Sequence, residues 1–180
     1  MFIKFILVGL LFSFLGEFVL KILWNNDPGA FLRTILIYTL LLAALYFINK
    51  ILDYNISNKF RLNLIYYLIS GLLGLVVIEW IILGTISNPI PIQVGMFAFW
   101  TVTFMMPRLF TSDSPNLDKI KKSALKFYLW YTTGTILVGL LLPSESKVFF
   151  LAWFMTIGYI FLNSYLGKFI VVKPLKNGPI

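Results

Sequence analysis

The sequence predicts an all-α fold, a polytopic bundle of six transmembrane helices built as three helical hairpins, N-in/C-in, with both termini in the cytoplasm. Three observations lead there. The hydrophobic share is 59% and the charged share 12%, where soluble domains keep these near one half and one quarter. The apolar residues fall into blocks, several of which reach the roughly 20 residues needed to cross about 30 Å of hydrocarbon. The basic residues collect at alternate ends of these blocks, as they do where positive loops stay on the cytoplasmic side.

Taken in order, the first span covers about residues 2–24 and ends at Asn25, Asn26, Asp27, Pro28 and Gly29, a turn-favouring cluster. The second covers about 30–51, and a polar stretch from Asp53 to Arg61 leads into the third, about 62–83. Gly84 to Pro91 make the next exit. The fourth span, about 90–110, is bracketed by Pro89 and Pro91 and carries Pro107 one turn before its end, so a kink or a shortened helix is expected. Thr111 to Lys122 form the longest polar loop, followed by a fifth span at about 123–142, a turn at 143–146 and a sixth span at about 147–169. The whole chain, 1–180, reads as a single transmembrane domain with hairpins at about 1–51, 62–110 and 123–169 and cytoplasmic loops at 52–61 and 111–122.

Met1 to Leu15 has the look of a signal peptide, but the apolar run continues to Trp24 with no small-x-small cleavage site, so a permanent first helix is expected. Barrel strands would alternate apolar and polar residues, which Leu36 to Tyr46 do not, and open strands would strand their backbone polar groups in lipid.

Charge sets the expected orientation. Twelve of the fifteen Lys and Arg fall on one side: Lys4, Lys50, Lys59, Arg61, Arg108, Lys119, Lys121, Lys122, Lys126, Lys168, Lys173 and Lys176. The other side has Arg33 and Lys147, and Lys21 lies within the first span. A plasma or inner membrane location follows as an expectation, with Trp24 and Trp80 near the outer ends of their helices, where an indole N–H meets headgroups. The sequon at Asn55, Ile56 and Ser57 would then be cytoplasmic and a chance match.

An offset of 62 aligns Gly9, Leu10, Leu11, Glu17, Phe18 and Asn26 with Gly71, Leu72, Leu73, Glu79, Trp80 and Asn88. This is the pattern of a parallel repeat, although the G-L-L part recurs out of register at Gly139. It places two glutamates at similar depth in the outer half. An ionisable group inside a span costs on the order of 2.5–3.5 kcal/mol and usually faces the bundle interior or a water-filled cavity.

Glu17, Glu79, Lys21, Arg33 and mid-span Trp100 are therefore the candidate substrate- or ion-binding residues. Glu17, Glu79, Lys21, Arg33 and Glu145 are expected to line a polar pocket open to the outside, able to hold a proton, a cation or a zwitterionic solute. Burial would favour the protonated carboxyl, and a nearby Lys the ionised one. The plain alternatives are that Glu17 pairs with Lys21 one turn on, that Glu79 reaches the headgroups, and that Trp100 is packing. Gly9, Ser13, Gly16, Glu17 and Lys21 also form a stripe suited to close helix contact.

The chain has neither Cys nor His, which removes thiolate and imidazole chemistry and most zinc, copper and haem sites. No nucleophile-elbow, metalloprotease or P-loop motif is present, and Asp113 with Asp118 beside three lysines is a poor Mg²⁺ site. No catalytic residue, metal or cofactor is assigned. The net charge of +8 belongs to loops, so nucleic acid is not an expected partner; the lipid bilayer is, with a second copy of the chain or another membrane protein beside it. The leading functional expectation is a small transport or solute-binding component. A non-catalytic accessory or assembly subunit is the alternative, and a lipid-modifying membrane enzyme the third.

Overall fold

The computed structural model describes the backbone of residues 1–171, and their side chains except at 24, 115, 144–149, 151 and 152. It is all-helical among these residues. α1 (Phe2–Glu17) runs without a break into a π-helical segment, Phe18–Trp24. α2 spans Pro28–Asn55. α3 (Lys59–Leu72) likewise passes into a π-helical segment, Leu73–Ile82. α4 spans Ile90–Thr111, α5 Asp118–Leu141 and α6 Ser144–Val171. Six stretches among the described residues are long and apolar enough to cross a membrane, the mark of a multi-pass membrane protein.

The spans stand close to the expected positions, but several helices are longer than their apolar blocks. Hydropathy marks where hydrocarbon begins, whereas capping marks where a helix begins. Asp27 Oδ1 accepts the Ala30 N–H at 2.8 Å and Pro28 opens α2, which starts ahead of residue 30. Asn58 Oδ1 caps α3 by accepting the Arg61 N–H at 3.1 Å. α2 continues to Asn55, so Asp53 is helical, and α5 takes up the last residues of the expected polar loop.

Two turns use left-handed backbone, Asn26 with φ 50° and Gly84 with φ 68°, both at residue types that tolerate it. α4 is continuous through Pro107 and is not shortened. The proline sits in the last turns, where Thr111 Oγ1 donates to the Pro107 carbonyl at 2.7 Å. Threonines elsewhere turn their hydroxyls onto the carbonyl four residues back, as Thr34, Thr39 and Thr101 do. Such hydroxyls need no partner from the lipid.

α4 is the axis of the bundle. Every residue from Trp100 to Leu109 is buried, which a helix achieves only when neighbours surround it. α1, α3 and α6 are those neighbours. α2 turns Leu32, Leu36 and Leu40 outward, and α5 does the same with Leu129, Trp130 and Leu137. Those exposed apolar side chains are the surface that hydrocarbon covers. Glycines allow the closest approaches: a Cβ on Gly74 would overlap Cβ and Cγ of Trp100, and one on Gly71 would overlap the Phe97 ring.

Gly74→Ala is therefore expected to destabilise the purified protein by about 1–3 kcal/mol through overpacking against an immobile indole base. Gly134→Ala, with open space at the Cβ position, should leave thermal stability in detergent unchanged. Equal midpoints for the two variants would contradict this packing.

Candidate functional site

Two ends of the bundle can be distinguished by their connections. The turns at 25–27 and 83–89 share one end; the connections at 56–58 and 112–117 share the other. The two glutamates lie toward the first.

Glu17 is the last residue of the α-helical part of α1 and is 7% exposed. Its Oε1 accepts a hydrogen bond from the Tyr38 hydroxyl of α2 at 2.6 Å. Glu79 lies in the π-helical segment after α3 and is half-buried. Its Oε1 accepts from Trp100 Nε1 at 3.0 Å. Oε2 of Glu79 faces the Thr85 hydroxyl at 3.3 Å, although that single proton also has the Glu79 carbonyl at 2.9 Å.

The two aromatic donors pack against each other, with Tyr38 and Trp100 ring centroids 5.1 Å apart and their planes tilted by 56°. Glu79 is within electrostatic reach of both Glu17 and Tyr38. Glu17, Tyr38, Trp100 and Glu79 thus form one continuous array across α1, α2, α4 and the extension of α3.

The array has an internal equivalence. Both hydrogen bonds join residues 21 apart in sequence. The offset of 62 that maps Glu17 onto Glu79 also maps Tyr38 onto Trp100, and the first residue of α2, Pro28, onto the first residue of α4, Ile90. Both glutamate-bearing helices change from α to π winding in their second half. π-helical turns are rare and occur often at functional sites.

In α1 the change follows directly on two side-chain contacts to the backbone. The Tyr128 hydroxyl, from α5, accepts the Leu15 N–H at 3.2 Å and donates to the Leu11 carbonyl. The Tyr159 hydroxyl, from α6, accepts the Gly16 N–H at 3.1 Å and donates to the Phe12 carbonyl at 2.9 Å. Each phenol straddles one rung of the helical ladder directly before Glu17, a recognised way of altering helix winding. Gly16 makes room, since a Cβ there would crowd the Phe99 ring.

No family model, no curated protein and no solved structure matches this chain. The site has to be read from its own geometry.

Of the residues singled out in the sequence, the structure brings together Glu17, Glu79 and Trp100. Lys21 acts on Glu17 through its charge without an ion-pair contact, and Arg33 stands apart, at the turn. Among the described residues the ion pairs are Arg33 with Asp27 at 3.9 Å, Arg108 with Asp53 at 2.8 Å and Lys121 with Asp118 at 3.7 Å. Lys21 makes no ion pair with Glu17, although its charge still acts on the carboxylate. Arg33 serves the turn, largely in solvent or headgroups. Glu145, Lys147 and Trp24 have side chains outside the described set. The Trp80 Nε1 is buried without a partner among the described residues and so does not reach outward.

The pocket itself differs from the expected polar one. A cavity of about 320 Å³ lies between α1 and α2; Glu17, Ser13 and Tyr38 are its polar members and the rest of its lining is Leu, Ile and Phe. No cluster of acidic residues able to hold a metal ion occurs among the described residues.

Tyr38, Tyr128 and Tyr159 were not singled out in the sequence. Tyr38 carries a signal that applies, since it is the offset-62 partner of Trp100; a mid-span Tyr has no other mark. A second buried cluster, at the opposite end, also went unmarked. Arg108 on α4 donates through Nε to Asn63 Oδ1 at 2.9 Å and through a terminal nitrogen to Asp53, and lies over the Tyr66 ring at 5.4 Å. In the charge pattern Arg108 reads only as one of many loop cations.

Breaking the Glu17 bond should show strong coupling in a double-mutant cycle. Tyr38→Phe and Glu17→Leu are each expected to destabilise the protein, while the pair together costs less than their sum by roughly 0.5–3 kcal/mol. Additive effects on thermal unfolding would show that the two side chains do not meet.

Proposed function

We propose that this chain is a small transport or solute-binding component of the membrane, whose site takes up a proton or a monovalent cation at the Glu17–Tyr38–Trp100–Glu79 array. One observation carries the reading. Two carboxylates are joined through the Tyr38–Trp100 pair in the spans, and among the described residues no Lys or Arg makes an ion-pair contact with either, Lys21 acting on Glu17 only from a distance.

The energetics favour a missing positive charge. Placing two carboxylates in the spans costs on the order of 5–7 kcal/mol on insertion scales. Two hydrogen bonds to charged acceptors offset roughly 3–6 kcal/mol of this. The remainder, with the mutual repulsion added, disappears when a proton or a cation joins the array.

The orientation belongs to the same proposal: both termini and the 56–58 and 112–117 connections on the cytoplasmic side, with the array in the outer half of the bilayer. The twelve basic residues on that side support it. Because the chain lacks Cys, single cysteines report without background. Asn55→Cys should react with an impermeant maleimide only when the cytoplasmic face is open, and Gly84→Cys only from outside; the reverse pattern would invert the topology.

The functional test is ion uptake in proteoliposomes. Protein-dependent movement of protons or of sodium, followed with an entrapped dye, is expected to fall to background in Glu17→Gln with Glu79→Gln. Undiminished movement in the folded double variant would remove the glutamates from the function and leave the accessory-subunit reading in its place.

A further inference from the structure

The groove between α1 and α2 narrows the substrate class, and the inference rests on the cation-binding reading above. We propose that it binds a lipophilic organic cation, an amine or onium ion with an apolar body, entering sideways from the bilayer and pairing with Glu17.

Size comes first. About 320 Å³ lies at the lower end of the range for small-molecule pockets, roughly 300–1,000 Å³, and far exceeds what a bare ion needs. A ligand that fills the groove has a body of several carbon atoms.

Chemistry comes next. Ser13 turns its hydroxyl back onto the Leu10 carbonyl at 3.0 Å, and Tyr38 gives its proton to Glu17 Oε1. The polar groups of the groove are thus already engaged, except for the second oxygen of Glu17, to which no described residue donates. Glu17 is more than nine-tenths buried and lines the groove. It is the one charge in the lining, and a ligand that satisfies it brings a positive charge or a donor.

Beside it, Phe14, Phe18 and Phe31 form an aromatic cluster with ring centroids 5.2–6.2 Å apart. Aromatic faces attract alkylated cations, and most strongly where water is absent. An anionic lipid would be repelled by the carboxylate, and a neutral one would leave it unpaired.

The mouth indicates the route. Leu7, Leu11 and Phe14 on its rim are exposed on the surface that hydrocarbon covers. A hydrophilic solute would have to cross that apolar rim, whereas an amphiphilic cation already dissolved in the leaflet meets it directly. The groups facing Glu17 from the elements around it are Tyr38 on α2, Tyr159 on α6, Lys21 on its own helix and Glu79 across the array. A cation arriving at a protonated Glu17 displaces that proton, which leaves to water, so that charge is exchanged one for one.

The test uses the full chain in detergent with tetraphenylphosphonium as probe and tetraphenylborate, an anion of the same shape, as control. Equilibrium dialysis is expected to show saturable binding of tetraphenylphosphonium alone, with a proton released in weak buffer. Glu17→Gln should weaken binding by about tenfold or more, as loss of a buried charge partner does. Ile35→Trp, which fills the groove and leaves the carboxylate in place, should weaken it too, and covers the case in which Glu17→Gln does not fold.

Equal binding of the two probes, or unchanged affinity in both variants, would overturn the inference. If tetraphenylphosphonium fails to bind while ion uptake still depends on Glu17 and Glu79, the groove proposal falls and the array proposal stands. Loss of both would remove both.

Discussion

Hydrocarbon offers no hydrogen bonds, and the interior of this bundle is organised around that fact. A polar atom carried into the bilayer gains by meeting a partner within the chain. Thr34, Thr39 and Thr101 meet theirs on their own helix, while the two glutamates need donors from elsewhere. Tyr38 and Trp100 suit that task because each is apolar over most of its surface and carries one proton at its tip. The tilted pair lies between α2 and α4 and supplies both carboxylates from a single aromatic core. Trp100 in turn continues onto Phe99 and Phe104, with centroids 5.1 and 5.0 Å away, so the donors are held by packing on the axial helix.

The last two helices take part through the backbone. Tyr128 and Tyr159 fasten α5 and α6 to α1 just before Glu17, and the Tyr159 ring meets Phe99 edge-on at 5.0 Å. A side-chain hydroxyl can satisfy both a backbone N–H and a carbonyl one turn apart, so the ladder can open without orphaned groups. The π turn begins directly after these contacts. Residues more than a hundred positions away therefore hold the backbone that carries the acid.

Much of the fold was legible in the residues. Apolar blocks of spanning length located all six helices, and the turn chemistry of Asn26 and Gly84 marked two of the breaks, because both signals are local. The pairing of Glu17 with Glu79 at a fixed offset was legible too, but not their unequal burial, which neighbouring helices set. What the residues hid was winding and partnership. Nothing near Phe18 announces the π turn, and the phenols that hold α1 just before it come from α5 and α6. Tyr38 was overlooked because a tyrosine in a span resembles packing until its hydroxyl has a partner. Arg108 was read as a loop cation because burial at a helix end is a tertiary property.

The first and second helix pairs carry equivalent acids and equivalent donors, yet their surroundings have diverged. At offset 62, Ser13, Gly16 and Lys21 of the first pair face Leu75, Ile78 and Leu83 of the second. Small and polar residues thus line α1 where branched apolar ones line its counterpart. Only α1 is clamped by the two phenols, and only its acid is both nine-tenths buried and open to a groove. Glu79 is less buried and lies near the Thr85 hydroxyl at the turn. A duplicated pair with identical surroundings would have two interchangeable positions of equal depth. The divergence makes one acid the deep member facing the groove and the other the shallow member near the turn, with Tyr38 and Trp100 packed between them. In the proposed function that asymmetry gives the array a direction: charge held at Glu17 and charge held at Glu79 are distinct states, joined through one pair of aromatic rings.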